Sequence, residues 1–315
     1  MHQTDLEVFG LRKKMLFLVN PKAGQTELRT NLLEIIDVFT AGGYDVTVHT
    51  TQCQGDLTHW IAQHGDQFDR IVCAGGDGTL NEAATGLMRL ETRPALGYIP
   101  GGTVNDVAHT LNISREPVKA ARDIISGVPQ AIDVGNFCGD RWFTYVAGFG
   151  AFTDVSYETP QSEKRLLGRL AYLLNGAKTL DKIRPIPMRM QVGDRVIEDE
   201  VLLGLVCSTT SVGGFRPKAP MLKGASLDDG LFEVIVVKKI ASIQDLNGIS
   251  ILLTRGEFDP NYFHTFQTDH IRFEFPAAVK WTLDGEFGGA LQSVEIQNTR
   301  RAFEILVPFK GETRF

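Results

Sequence analysis

The chain has 315 residues, 43% hydrophobic and 22% charged, with a formal net charge of -6. That length and balance suit a globular protein of two domains, and the negative charge argues against a nucleic-acid binder driven by phosphate neutralisation. Its four cysteines, Cys53, Cys73, Cys138 and Cys207, form no C-x-x-C pair, so neither a zinc site nor a disulfide framework is indicated and a reducing compartment fits.

The first 14 residues are polar and charged, unlike a signal peptide, and no run of about 18 apolar residues predicts a transmembrane helix. A cytoplasmic protein is expected, with any membrane contact peripheral. Met15–Asn20 reads as an apolar strand, Thr26–Ala41 has helical spacing, and Tyr44–Thr50 alternates as a strand. A helix over Asp56–His64, a strand over Arg70–Ala74 and a helix over Thr79–Leu90 follow. Ala95–Ile99 is another strand, then come helices within Asn105–Leu111 and Pro117–Gly127. This β-α-β-α order predicts an α/β nucleotide-binding domain over residues 1–133, a mainly parallel sheet covered by helices. In such sheets the ligand sits beyond the carboxyl ends of the strands.

From Ala131 short strands dominate, predicting a mostly antiparallel β-sandwich over residues 134–301. The expected strands are Trp142–Ala147, Ile186–Val192, Val201–Ser208, Leu231–Val237, Phe263–Thr268, Ile271–Phe275, Val279–Leu283 and Leu291–Gln297. Helical patterns interrupt them at Glu163–Leu180 and Ser242–Thr254. The first joins Leu166, Leu167, Leu170, Leu173 and Leu174 to Lys164, Arg165, Arg169 and Lys178, which suits acidic lipid surface or plain packing with a solvated basic side. The closing segment, 302–315, with the apolar run Phe303–Val307, can return to the first domain. Exposed strand edges leave a homodimer open as one assembly.

Three glycine loops stand where ligands bind. Ala74-Gly75-Gly76-Asp77-Gly78-Thr79 turns from strand to helix, and without Cβ atoms its N–H groups can approach an anion closely. The following helix start adds unpaired N–H groups and partial positive charge. Asp77 is unsuited to a bare phosphate but can hold Mg²⁺ or a water that Mg²⁺ carries. Glycines for phosphate and a carboxylate for metal point to a nucleotide-using enzyme; a plain tight turn would explain the glycines alone. Thr79 can cap the helix, with Glu82 completing a capping box, or contact phosphate, and the two roles are compatible. The other two loops are Asn20-Pro21-Lys22-Ala23-Gly24, whose lysine can screen phosphate or simply be solvated, and Pro100-Gly101-Gly102-Thr103-Val104-Asn105-Asp106.

Together with Leu227-Asp228-Asp229-Gly230-Leu231 and Leu283-Asp284-Gly285-Glu286, these loops resemble the diacylglycerol kinase catalytic-domain family, nearest its soluble bacterial lipid kinase branch. They run in family order across residues 15 to 290. The resemblance implies an ATP- and Mg²⁺-dependent kinase acting on a lipid alcohol, diacylglycerol first; the net charge, not the resemblance, leaves no nucleic-acid partner expected. It implies nucleotide contact by Asn20, Pro21, Lys22, Ala23, Gly24, Thr51, Gly76, Asp77, Gly78, Thr79, Leu80, Asn81, Glu82 and Thr103. Asp77, Asp106 and Asp133 look like the acids around a catalytic Mg²⁺. Asp229, joined by the carbonyls of Ser226 and Leu231, resembles the ligand of a separate structural Mg²⁺; without the resemblance the loop is an Asp-Gly turn.

Glu286 is the expected general base, with Asp284 as the competing carboxylate. Val107 and His109 depart from the family pattern, since many bacterial relatives carry a bulky aromatic and an arginine there. Rival readings are an enzyme like NAD kinase, which shares a Gly-Gly-Asp-Gly loop, and a catalytically weak lipid- or nucleotide-binding regulator.

Overall fold

The computed structural model describes residues 12–23, 27–103, 105–150, 184–208, 227–240, 242–255 and 257–309. The chain divides into two compact units. One comprises Met1–Gly102, Leu111–Gln130 and Phe303–Phe315; the other comprises Thr103–Thr110 and Ala131–Ala302. The segment Thr103–Thr110, expected with the first domain, thus groups with the second unit.

In the first unit the strands β1 (Lys13–Val19), β2 (Tyr44–Thr50), β3 (Arg70–Gly75) and β4 (Leu96–Pro100) alternate with helices. These are α1 (Glu27–Thr30), α2 (Leu32–Ala41), α3 (Asp56–His64) and α4 (Asp77–Leu87), with α6 (Pro117–Ser126) later in the chain. The strands pair in parallel in the order β2-β1-β3-β4. Ile305, near the end of the last strand, adds a parallel pair with Leu96. Ile71–Ala74 is buried throughout, as a strand covered on both faces requires. Helices supply the cover: Ile35 and Phe39 of α2 and Ile124 of α6 pack with Met15, Phe17, Val72 and Ile99. The rings of Phe17 and Phe39 meet edge to face, centroids 5.4 Å apart. Parallel pairing puts the carboxyl ends of β1, β3 and β4 along one edge, and each opens into a glycine loop.

The second unit is dominated by antiparallel strands: β6 (Arg141–Phe143), β7 (Val146–Gly150), β8 (Ile186–Val192), β9 (Arg195–Cys207), β10 (Phe232–Lys238), β11 (Phe263–Thr268) and β12 (His270–Leu283). Two further strands, β5 (Val128–Phe137) and β13 (Glu286–Val307), have most of their residues here. Among the described residues its helices are α5 (Asp106–Leu111) and α7 (Ile243–Arg255). Neighbours run β11-β10-β9-β7-β12-β13, with β8 pairing both β9 and β12. Trp281, Phe137, Phe149, Phe273 and Phe275 form the aromatic centre of its core.

Several local expectations change, among them the start of the strand expected over Val201–Ser208, which begins at Arg195. The helical stretch Thr26–Ala41 is split by Asn31, which sits outside helical geometry, into α1 and α2. The strand pairs Ile271–Phe275 with Val279–Leu283, and Leu291–Gln297 with Phe303–Val307, are continuous within β12 and β13. A register shift between Glu274 and Val279 absorbs the proline at 276. Trp142–Ala147 is instead interrupted at residues 144–145. The basic helical pattern at 163–180 lies outside the described residues.

Candidate active site

In the first unit the Asn20 loop and the Gly75 loop are locked together through Asn20. Its backbone N–H donates to the Ala74 carbonyl at 3.0 Å. Its Oδ1 accepts the Lys22 N–H at 3.0 Å, and its Nδ2 donates to Thr79 Oγ1 at 3.1 Å. The Gly75 carbonyl accepts from the Gly101 N–H at 2.7 Å and the Tyr98 hydroxyl at 3.1 Å, so the third loop joins the same network. A Cβ at Gly76 would stand 3.3 Å from Gly102 Cα; the absence of side chains is what allows these turns to pack closely. Thr51 is held beside β1 by its N–H bond to the Val19 carbonyl at 2.9 Å.

Helix α4 begins at Asp77, not Thr79, with extended Gly76 as its N-cap and no side-chain capping bond. The capping-box reading of Thr79 and Glu82 therefore fails, because Thr79 is already inside the first turn, buried and bonded to Asn20. Gly76, Asp77 and Gly78 are half-buried at the start of an 11-residue helix, where N–H groups lack intrahelical partners. Lys22 is exposed, while Pro21 and Ala23 are half-buried and the Pro21 carbonyl accepts from Arg29. Leu80 is buried, and Asn81 and Glu82 are half-buried on α4. Gly24 lies outside the described residues.

The second unit carries Asp106, Asp133 and Asp229, whereas Asp77 belongs to the first, and among the described residues no three carboxylate, histidine or cysteine side chains stand together as a metal site. Asn105 takes a left-handed φ of 55° directly before α5, and Asp106 at the head of that helix is 1% exposed. Thr103 and His109 are exposed and Val107 is buried. Asp133 uses both carboxylate oxygens as acceptors, from the Gly230 N–H at 2.6 Å and the Arg301 N–H at 2.7 Å. Its own N–H donates to the Leu227 carbonyl at 2.6 Å. Asp133 thus shapes the Asp-Asp-Gly loop, in which Asp229 Oδ1 accepts the Leu231 N–H at 2.9 Å. Ser226 lies outside the described residues.

Charge is concentrated around that loop. Burial raises the Asp133 carboxyl above its ordinary value, against the pull of its two N–H donors, and Asp229 and Asp228 raise it further. Glu233 on β10 is 2% exposed, and burial with the Asp229 charge pushes its carboxyl up to about 7. Burial likewise drives the Cys207 thiol up, reinforced by Glu233 and Asp106. A bound cation would offset repulsion of this kind, and hard oxygen donors of this type suit Mg²⁺. Glu233 was missed by motif reading, although a glutamate inside the apolar run Phe232–Val237 is itself a signal.

The Asp284-Gly285 turn closes β12 onto β13, with φ of 49° and 86° at its two residues and Leu283 paired to Glu286. This is the left-handed pair that a two-residue hairpin needs. Glu286 is exposed. Asp284 is 4% exposed and accepts four hydrogen bonds, from Thr144 N–H and Oγ1, Tyr145 N–H and Val146 N–H, at 2.7 to 3.0 Å. A carboxylate has about four lone-pair sites. Those of Asp284 are engaged by three backbone N–H groups and the Thr144 hydroxyl, which counts against it as the competing base.

Residues 14–137 match the diacylglycerol kinase catalytic domain, and residues 146–306 match the YegS C-terminal NAD kinase beta sandwich-like domain. A diacylglycerol kinase of Bacillus subtilis is 36% identical over 300 residues, covering 94% of this chain and 97% of that one. The chain belongs to the diacylglycerol kinase catalytic-domain family. A Staphylococcus aureus diacylglycerol kinase is 32% identical over 301 residues, with 95% and 93% covered. A crystal structure of a Bacillus anthracis diacylglycerol kinase superposes with a TM-score of 0.73 at 27% identity, covering 95% of this chain and 98% of that one. As a member of this family the chain is a lipid kinase with a catalytic domain followed by a β-sandwich-like domain.

Proposed function

We propose that this lipid kinase transfers the γ-phosphoryl group of ATP to the hydroxyl of a lipid alcohol, diacylglycerol first, yielding phosphatidic acid. The observation that carries the reading is the locked glycine turn of the first unit, where Asn20, Gly75, Thr79 and Gly101 fix N–H donors at a helix start. Phosphoryl transfer rests mainly on positioning and charge neutralisation, so a rigid N–H cradle is the main equipment required. Asn20 to Gly24, Thr51, Gly76 to Glu82 and Thr103 bind and orient the nucleotide. Glu286 takes the acceptor's proton as the new bond from hydroxyl oxygen to phosphorus forms. The bond from the γ-phosphorus to the bridging oxygen breaks, and ADP leaves with that electron pair.

Asp77, Asp106 and Asp133 are the residues that would hold a catalytic Mg²⁺, and Asp229 with the carbonyls of Ser226 and Leu231 a structural one. Bound metal would neutralise triphosphate charge and help fix the Asp-Asp-Gly loop. No helix among the described residues is long and apolar enough to cross a membrane. The acceptor is reached at the cytoplasmic membrane surface by peripheral contact. Incubation with labelled ATP, Mg²⁺ and a panel of lipid alcohols in mixed micelles tests the reading. Labelled phosphatidic acid is the expected product from diacylglycerol; label in NAD and in no lipid would reverse it.

A further inference from the structure

We infer that Asp284 is a positioning residue that aims Glu286 by clamping the β12–β13 hairpin to the Thr144–Val146 backbone. The inference rests on Glu286 being the general base. Hairpin chemistry alone does not explain an aspartate here. Asn-Gly closes a two-residue turn as well as Asp-Gly does, and asparagine tolerates the same left-handed φ. What distinguishes the position is its surroundings. Three successive N–H groups and the Thr144 hydroxyl all point at one carboxylate, two donors to each oxygen. Only an acceptor at both oxygens satisfies them, and asparagine would turn an NH₂ group against two of the donors. Donors left unmade at a buried site are costly, so the turn would shift to relieve them.

The clamp is two-way. The Asp284 N–H donates back to the Val146 carbonyl at 2.8 Å, and the two segments continue into the β12–β7 ladder through Leu283 and Ala147. Tyr145 packs over the turn, its hydroxyl 3.8 Å from where a Gly285 Cβ would stand. Glu286 follows two residues later with an exposed side chain, so its reach is governed by the backbone beneath it. A base displaced by an ångström loses on the order of 10²-fold in rate without any change in nucleotide binding.

The test measures kcat and the KM for ATP in Asp284→Asn, Thr144→Val and Thr144→Ser, each alone and combined with Glu286→Gln. Asp284→Asn is expected to lower kcat roughly 10²-fold while the KM for ATP stays within about twofold. Thr144→Val, which deletes one donor, should lower kcat several-fold, and Thr144→Ser should restore it. With Glu286→Gln already present, Asp284→Asn should cost less than about threefold, because its effect passes through a base no longer there. A merely structural role would give an equal loss in both backgrounds, and that result overturns the clamp. If Asp284→Asn fails to fold, wild-type kcat in Thr144→Val does the same. Near-wild-type turnover of Glu286→Gln alone would instead overturn the base itself, a separate failure.

Discussion

Glu233 offers a prediction whose size follows from its surroundings. It lies on β10, where Phe232–Val237 are all buried, paired with Cys207 of β9 and Gln267 of β11. Gln267 Nε2 donates to it at 3.4 Å. Burial and the Asp229 charge hold its carboxyl at about 7, against an ordinary value of 4.5. The folded protein therefore binds this proton more tightly than the unfolded chain. Stability from this residue is fully present below pH 4.5 and declines as pH rises through 7. At about 1.4 kcal/mol per pH unit, the ionised form costs about 3 kcal/mol above neutrality. Glu233→Gln keeps the shape and removes the charge. The variant should match the wild type near pH 4 and exceed it by up to about 3 kcal/mol at pH 8, as read from urea unfolding of both proteins across that range. Groups that titrate alike in both cancel in the difference. If the Asp229 loop holds the proposed Mg²⁺, adding the metal should shrink the gain by offsetting the part of the rise that comes from the Asp229 charge, leaving the larger part due to burial. A difference independent of pH from 5 to 8, or a wild type that gains on the variant as pH rises, would refute the reasoning.

Three further outcomes follow from local geometry. Gly75→Ala places its Cβ against the Thr79 side chain, so α4 must shift and the Asn20–Thr79 bond must break; the KM for ATP should rise about tenfold, and an unchanged KM with unchanged melting temperature would contradict the lock. Asp77→Ala should lower turnover about 10³-fold while circular dichroism and melting stay near wild type; an active, folded variant removes its metal role. The Gln52 N–H and then His49, acting against burial, hold Asp56 below its ordinary value of 3.8. Its contribution is present above that value and lost as pH falls through its lower folded value. Asp56→Asn should therefore differ most from the wild type at neutral pH and converge with it in strong acid, measured by urea unfolding from pH 6 downward.

Local patterns were readable where periodicity was unambiguous. Tyr44–Thr50, Asp56–His64, Ile186–Val192 and Phe263–Thr268 have the expected bounds. The glycine turns after Val19, Gly75 and Pro100 were equally visible, because their composition serves no other purpose as economically. β5 escaped notice: Val128–Phe137 mixes proline, glutamine, aspartate and asparagine with its apolar residues, and long-range pairing with β13 supplies the order. The start of α4 at Asp77 was hidden because Thr79 and Glu82 mimic a cap, while the actual cap, Gly76, has no side chain to advertise it. Least legible were the long-range clamps. Asp133 reaches residues 97 and 168 positions away, and Asp284 reaches back 138 to 140 positions. No local motif encodes such partners, so which carboxylate of the Asp-Gly-Glu turn was structural could be settled only in three dimensions.

Transfer from labelled ATP to diacylglycerol by Glu286→Gln, with ATP affinity determined on the same preparation, bears most directly on the chemistry. Lipid phosphorylation should all but vanish while nucleotide affinity and melting temperature remain those of the wild type. A folded variant that makes phosphatidic acid at the wild-type rate would contradict the assignment of the proton acceptor.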